Sequence, residues 1–531
     1  MINSKHFTYA AAWLILFSVI GGLIFPNNTY AKNLPINEPT ITIISPTDPF
    51  LGTTTTFSVS FKNNASAELF GPFLNIFIDK TGEDGLMESG SITEGFDGLG
   101  NTAVSVNYGS FALPASDIYT VTLNSLGQAV HPFLKDATGS PVIITAPADF
   151  HEGDVMLVVR LPFGSLVPEQ PVIQIDVTVD ISNYADLGVP LHISAQGGYQ
   201  FGTTPVDDYA TDNPAVTLSA AVSSTITPIL MTLQKVNNAP EDQTSTGPNY
   251  TRDYTITLNV APGQTLQNVD VTDVIPENAQ YVGPITTSSP ASCSTSGTEV
   301  PGGSFTCTFT TLSGTQTISF PFYIPRVEAD NSDVLNPQSG SPVTSCNNVD
   351  ALGDWAPLDP RDLGSTDNVS AGSAAAPCED TLNDHSLVVY KSTALTNDVG
   401  SVDLGPGDTL THTLNFDVSD YFAINNIVLT DTISDGQHFD AGFTPTLVIN
   451  GNTYSLIAND INSANYTVAC NYTGAVADGA PCDIANPPDG TGTTVVTFRV
   501  SDEIVTRGQD GRMVGGCIDP ATGSAAPECT G

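Results

Sequence analysis

Cationic side chains are scarce in this chain. Lys and Arg together number 14 against 56 Asp and Glu, a net charge of −42 over 531 residues. That argues against nucleic acid or anionic lipid as partners, because both need clustered basic groups. The acidity suits a polypeptide kept soluble by its own charge, or one lodged in a cation-rich matrix. Catalytic signatures are missing as well. There is no HExxH, GxSxG, P-loop or GxGxxG, and the seven histidines are scattered. Carboxylates are too numerous for a glycosidase pair to stand out. Beyond the N-terminal run, no apolar stretch approaches membrane-spanning length, and no long stretch carries the helical 3.6-residue period.

Short strands and turns are what remain. Charged residues make up only 13% of the chain, with 46 Gly and 38 Pro, a composition that favours strands joined by turns over charged helices. At the N-terminus, Lys5 and His6 precede an apolar run from Phe7 to Phe25. Pro26 ends the run, and Thr29-Tyr30-Ala31 has the small-residue pattern of a cleavage site. Residues 1–31 are therefore expected to be a signal peptide; the length of the run leaves an uncleaved anchor as the alternative.

Residues 38–225 read as strand after strand, forming one or two sandwich domains. Phe57, Val59 and Phe61 alternate with Ser58 and Ser60. Ile173, Ile175, Val177, Val179 and Ile181 alternate with polar residues. A period of two means one buried face and one wet face. From residue 226 the chain repeats itself. Met231-Thr232-Leu233-Gln234-Lys235 is matched by Leu387-Val388-Val389-Tyr390-Lys391. Tyr254 lies 19 residues before Asp273, and His412 lies 19 before Asp431, a constant register that marks a true repeat. The expected organisation is repeat 1 over 226–350, a linker over 351–381 and repeat 2 over 382–531, with a truncated longer array as the alternative. The fold class is all-β, a tandem series of β-sandwich domains.

All eight cysteines fall in the repeats: Cys293, Cys307, Cys346 and Cys378, then Cys470, Cys482, Cys517 and Cys529. An even count in an exported chain reads as disulfides. The close pairs 293–307 and 470–482 would staple hairpins, although four cysteines per repeat allow three pairings each. Zinc is the poorer reading, since there is no CxxC and no nearby His.

The informative observation is one of phase. Ile229, Met231, Leu233 and Lys235 share one strand face, as do Leu387, Val389 and Lys391. Val269, Val271, Asp273 and Ile275 share another, as do Ile427, Leu429, Asp431 and Ile433. One amine and one carboxylate per repeat thus point where a core should be. Three readings stand. The side chains lie at half-exposed strand ends and snorkel to water. Or they form a buried salt bridge that fixes register. Or the Lys amine forms an isopeptide bond with a side-chain amide, the Asp acting as acid. The acceptor in repeat 1 would be Asn347, in phase with Val343, Val349 and Ala351. In repeat 2, Ile518 follows Cys517 where Asn347 follows Cys346, so only Asp431 itself remains as acceptor.

A Lys-ending strand, Tyr254-Thr255-Ile256-Thr257 and Val271-Thr272-Asp273-Val274-Ile275-Pro276 followed by Tyr281-Val282 together resemble the bacterial surface repeat called domain of unknown function eleven. They also resemble the isopeptide-forming domains of Gram-positive fimbrial proteins. The resemblance covers about 226–350 and 382–505. It implies a seven-stranded immunoglobulin-like fold in tandem on the cell surface, with Lys235 as nucleophile, Asp273 as acid and Asn347 as acceptor. The second repeat departs from it: His412 replaces the Tyr and Ser434 the Pro.

One further cluster stands out. Asp79, Glu83, Asp84, Glu88 and Asp97 surround a Gly-rich loop, a composition that suits calcium, with a solvated acidic loop as the plainer reading. The expectation is a non-catalytic, secreted or cell-surface protein acting as stalk, scaffold or adhesin. Its partners would be other surface or matrix components, protein or carbohydrate. The alternatives are a carbohydrate- or protein-binding module with calcium-stiffened loops, and a secreted polysaccharide hydrolase.

Overall fold

The computed structural model describes residues 38–82, 93–98, 105–136, 138–205, 216–335, 342–358, 367–372, 380–400, 404–434, 436–440, 442–449, 451–456, 465–472, 480–481 and 492–518. The chain divides into two compact units. The first is built on Met1–Met231, Val260–Thr265 and Trp355–Asp367; the second is built on Thr232–Asn259, Leu266–Asp354 and Asn368–Gly531. Expectations for the signal segment, for Glu83, Asp84 and Glu88, and for Cys378, Cys482 and Cys529 fall outside the described residues. Among the described residues no helix is long and apolar enough to cross a membrane.

The first unit is a sandwich. One sheet holds β1 (Thr40–Ile44), β2 (Thr54–Lys62), β7 (Ile173–Ile181) and β4 (Ser105–Tyr108); the other holds β8 (Leu191–Gly202), β3 (Leu69–Ile78), β6 (Val155–Arg160) and β5 (Ile118–Thr122), each in that order. Phe61 pairs with Ile173 and Phe57 with Val177 in antiparallel register. Both alternating sets therefore turn to one face, and every member is buried. Phe61 meets Tyr199 of the facing sheet edge-on, ring centroids 5.5 Å apart, which closes the core between the layers.

Repeat 1 is a second sandwich. Its first sheet runs β9 (Met231–Asn237), β11 (Arg252–Val260), β15 (Thr315–Tyr323). Its second runs β10 (Gln243–Ser245), β17 (Asp380–His385), β16 (Val343–Trp355), β12 (Leu266–Val274), β14 (Ser304–Leu312), β13 (Ser292–Ser296). Phe305 of β14 packs against Phe320 of β15, centroids 4.9 Å apart, joining the two layers. The stretch 351–381, expected to be linker, supplies strand at both ends: β16 runs on to Trp355, and β17 begins at Asp380 and pairs with β16 from Val343 to Asn347. Leu382 and Asp384 alternate inward there, a pattern too short to register against the surrounding Gly, Ser and Asp.

Repeat 2 follows after the single residue Ser386. β18 (Leu387–Asn397) pairs with β19 (Thr409–Val418), and β20 (Val428–Ile433), β22 (Gly492–Arg499) and β21 (Tyr466–Tyr472) form the facing sheet in that order. Ile427, Leu429, Ile433, Val468 and Val496 make its core. After β22 the chain enters a short helix, α1 (Val500–Thr506), and then a two-residue strand, Met513–Val514, that pairs with Ala423–Ile424.

Candidate functional site

Alternation decides which side chains meet between the two sheets of repeat 1. On β9, Lys235 lies in phase with Met231, and it is 1% exposed. On β12, Asp273 follows Val269 and Val271 inward and is fully buried. On β16, Asn347 lies between Ser345 and Val349 on the inward face and is fully buried as well. The sequence-derived trio is thus brought together from three strands of both sheets. Lys235 Nζ donates to Asp273 Oδ2. In repeat 1 the amine does not snorkel to solvent.

Aromatic rings roof this pair. Lys235 Nζ lies 4.4 Å from the centroid of the Tyr254 ring and 5.3 Å from that of Phe320. Tyr254 stacks on Phe322 at 4.2 Å. An ammonium gains from such ring faces, yet the rings also exclude water, and that favours neutral forms. Burial raises the Asp273 carboxyl above the usual carboxylate range, against the lowering effects of Lys235 and Asn347. Burial also drives the Tyr254 hydroxyl well above its ordinary value, helped by the carboxylates of Asp380, Asp384 and Asp273.

Several polar atoms at this place are left over. Asp273 Oδ1, the Tyr254 hydroxyl, and both the oxygen and the nitrogen of the Asn347 amide are buried without completing a hydrogen bond. Asn347 lies within hydrogen-bonding range of Asp273 and of Tyr254 and lowers the pKa of each, but its amide completes no bond of good geometry to either. Four orphaned atoms in one pocket are unusual, because buried polar groups almost always find partners.

A second buried carboxyl adjoins the first site and was not anticipated from sequence. Asp384 Oδ2 accepts from Asn278 Nδ2 at 2.7 Å and from Ser345 Oγ at 2.8 Å. Burial pushes its pKa up to about 8. The available signal was its spacing of two from Leu382.

Repeat 2 places its pair differently. Lys391 Nζ lies 2.7 Å from Asp431 Oδ1, but the Lys side chain is 31% exposed. Ile518 is buried, and no strand corresponding to β16 flanks β20 among the described residues. This is an ion pair open to water.

Of the cysteines, Cys293 and Cys307 are joined across the hairpin of β13 and β14, where they are register partners. Cys346, Cys470 and Cys517 are also disulfide-bonded. Of the acidic loop, only Asp79 and Asp97 lie among the described residues. Asp79 is buried and accepts from the Gly82 and His192 amides. Asp97 is exposed and accepts from Gly98. No three His, Cys, Asp or Glu side chains come together as a metal cluster among the described residues.

No family model and no curated protein matches the chain. Solved structures do. The major pilin subunit of Bacillus cereus is 10% identical over 65% of this chain and 93% of its own, with a TM-score of 0.23. The Enterococcus faecalis MSCRAMM ACE, described as binding its ligands by a collagen hug, is 10% identical over 66% and 95%, with a TM-score of 0.17. A protein that catalyses macrocyclisation in alchivemycin A biosynthesis is 14% identical over 36% and 89%, with a TM-score of 0.22. Likenesses this remote bear on neither the site nor the activity.

Proposed function

We propose that the chain is a non-catalytic structural protein of a bacterial cell surface, serving as stalk, scaffold or adhesin, and that repeat 1 locks itself with an isopeptide bond between Lys235 and Asn347. The observation that carries the covalent part is the Asn347 amide, without a well-formed hydrogen bond, beside the buried acid Asp273 to which the buried Lys235 amine donates. An ordinary salt bridge leaves that amide costly and unexplained; bond formation consumes it. Export is supported by the N-terminal apolar run and by the absence of free cysteines among the described residues.

The chemistry balances without a cofactor. In a dry site the Lys–Asp pair relaxes to a neutral amine and a protonated acid. Asp273 donates to the Asn347 carbonyl oxygen while Lys235 Nζ attacks Cγ. The tetrahedral adduct collapses, the Cγ–Nδ2 bond breaks, and the proton lost by the amine leaves with the amide nitrogen as ammonia. Asp273 ends as it began, and the event occurs once per molecule.

Peptide mapping of the reduced chain tests this reading. A branched peptide joining the Lys235 and Asn347 segments is expected, lighter by about 17 Da than its two parts because ammonia is lost. Asp273→Ala should yield the two unbranched peptides. Finding only unbranched peptides in the parent protein would refute the cross-link. In repeat 2 no such product is expected.

A further inference from the structure

We propose that the open side of repeat 2 docks a β-strand supplied by another polypeptide, one with apolar residues at alternate positions and basic flanks. Repeat 1 shows what such a strand looks like. There β15 lies along β11, with Tyr254 opposite Phe320 and Ile256 opposite Ile318. Ile318, Phe320 and Phe322 of β15 are all buried. In repeat 2 the counterpart of β11 is β19, and among the described residues it pairs with β18 alone. The positions matching Tyr254, Ile256 and Leu258 are His412, Leu414 and Phe416. The first three are buried; the second three are only half-buried.

The vacancy has a size and a lining. A cavity of about 1360 Å³ opens between the sheets, walled by Leu414, Phe416, Phe439, Phe443, Leu447 and Phe498. That exceeds the few hundred to about 1000 Å³ of ordinary small-molecule pockets. The edge of β19 that is unpaired among the described residues also presents backbone donors and acceptors, which an apolar small molecule leaves unmet and an added strand satisfies. The polypeptide that follows β22 does not do so as far as Ile518, being taken up by α1 and by the strand at Met513–Val514. Charge argues against a second copy of the chain. Asp408, Asp417 and Asp440 line the cavity, and each copy carries −42. Basic flanks would complement that lining.

The test uses the full chain and a synthetic peptide with the sequence of residues 314–325, extended by two Lys at each end. The control peptide carries Ser at the positions of Ile318, Phe320 and Phe322. Saturable binding in fluorescence anisotropy is expected, at least about tenfold weaker for the control, since the alternate side chains supply specificity in strand addition. Leu414→Asp should abolish it. Because that variant can also unfold the repeat, hydrogen exchange on the unaltered chain decides: amides of Thr409–Val418 should slow on peptide addition, while those of Arg252–Val260 stay unchanged. Equal binding of the control, or binding without protection of β19, overturns the proposal. So does concentration-dependent dimerisation that protects β19 in the absence of peptide, which would assign the groove to a second copy.

Discussion

Asp384 is a fully buried carboxyl with two hydrogen-bond donors on one oxygen. Its pKa is raised from 3.8 to about 8. Between those values the folded chain holds a proton that the unfolded chain has released. Stability therefore falls as pH rises through that window and levels off above about 8. Asp384→Asn should flatten this slope and raise the melting temperature at pH 8.5, a difference on the order of a few kcal/mol. Thermal melts of parent and variant from pH 4 to 9 measure it; equal slopes would mean that Asp384 titrates normally. The inward positions of Lys235, Asp273 and Asn347 were legible because each lies two or four residues from apolar neighbours on its strand. The exposure of Lys391 was not. The same alternation places it inward, and among the described residues no strand corresponding to β16 covers it.

Strand pairing is the level at which the sequence loses resolution. The hairpin of β13 and β14 is an exception, since its cysteines announce it. Closing a loop of 14 residues constrains the unfolded chain by about 3 kcal/mol in the entropy model. Replacing Cys293 and Cys307 with Ser should lower stability by up to that amount, read as a shift in urea midpoint with little change in slope. The contribution of β17 to the repeat 1 sheet could not be anticipated. Its inward Leu382 and Asp384 sit beyond a composition typical of linkers, and its partners β16 and β10 lie 33 to 140 residues away in the register pairs. Long-range pairing of this kind depends on what else is free to pair, and no local pattern encodes it.

Across the molecule, the tandem sandwiches follow from period-two runs broken by Gly, Asn and Pro, and that much was readable throughout. The coupling between repeats 1 and 2 was not. Only Ser386 separates β17 from β18, and Asp420 fastens the joint by accepting from the Asn249 backbone and side-chain nitrogens, each at 2.8 Å. Tyr250 donates its hydroxyl to the Val418 carbonyl beside it. Removing a buried carboxylate that satisfies several donors typically costs a few kcal/mol. Asp420→Ala should therefore let the repeats melt at separate temperatures. Calorimetry should show one transition more in the variant than in the parent, and an unchanged number of transitions would mean that the joint does not depend on this residue.

Lys235 stands on the first strand of repeat 1, and Asn347 on β16 of the opposite sheet, before β17 closes the repeat. Tension applied to the polypeptide would pass straight from one to the other through a covalent bridge. The 347 − 235 = 112 residue steps of the intervening chain would then carry no load. At about 3.4 Å per residue, roughly 380 Å of contour would be unavailable to stretching, leaving only the segment from Asn347 to the end of β17 free to extend.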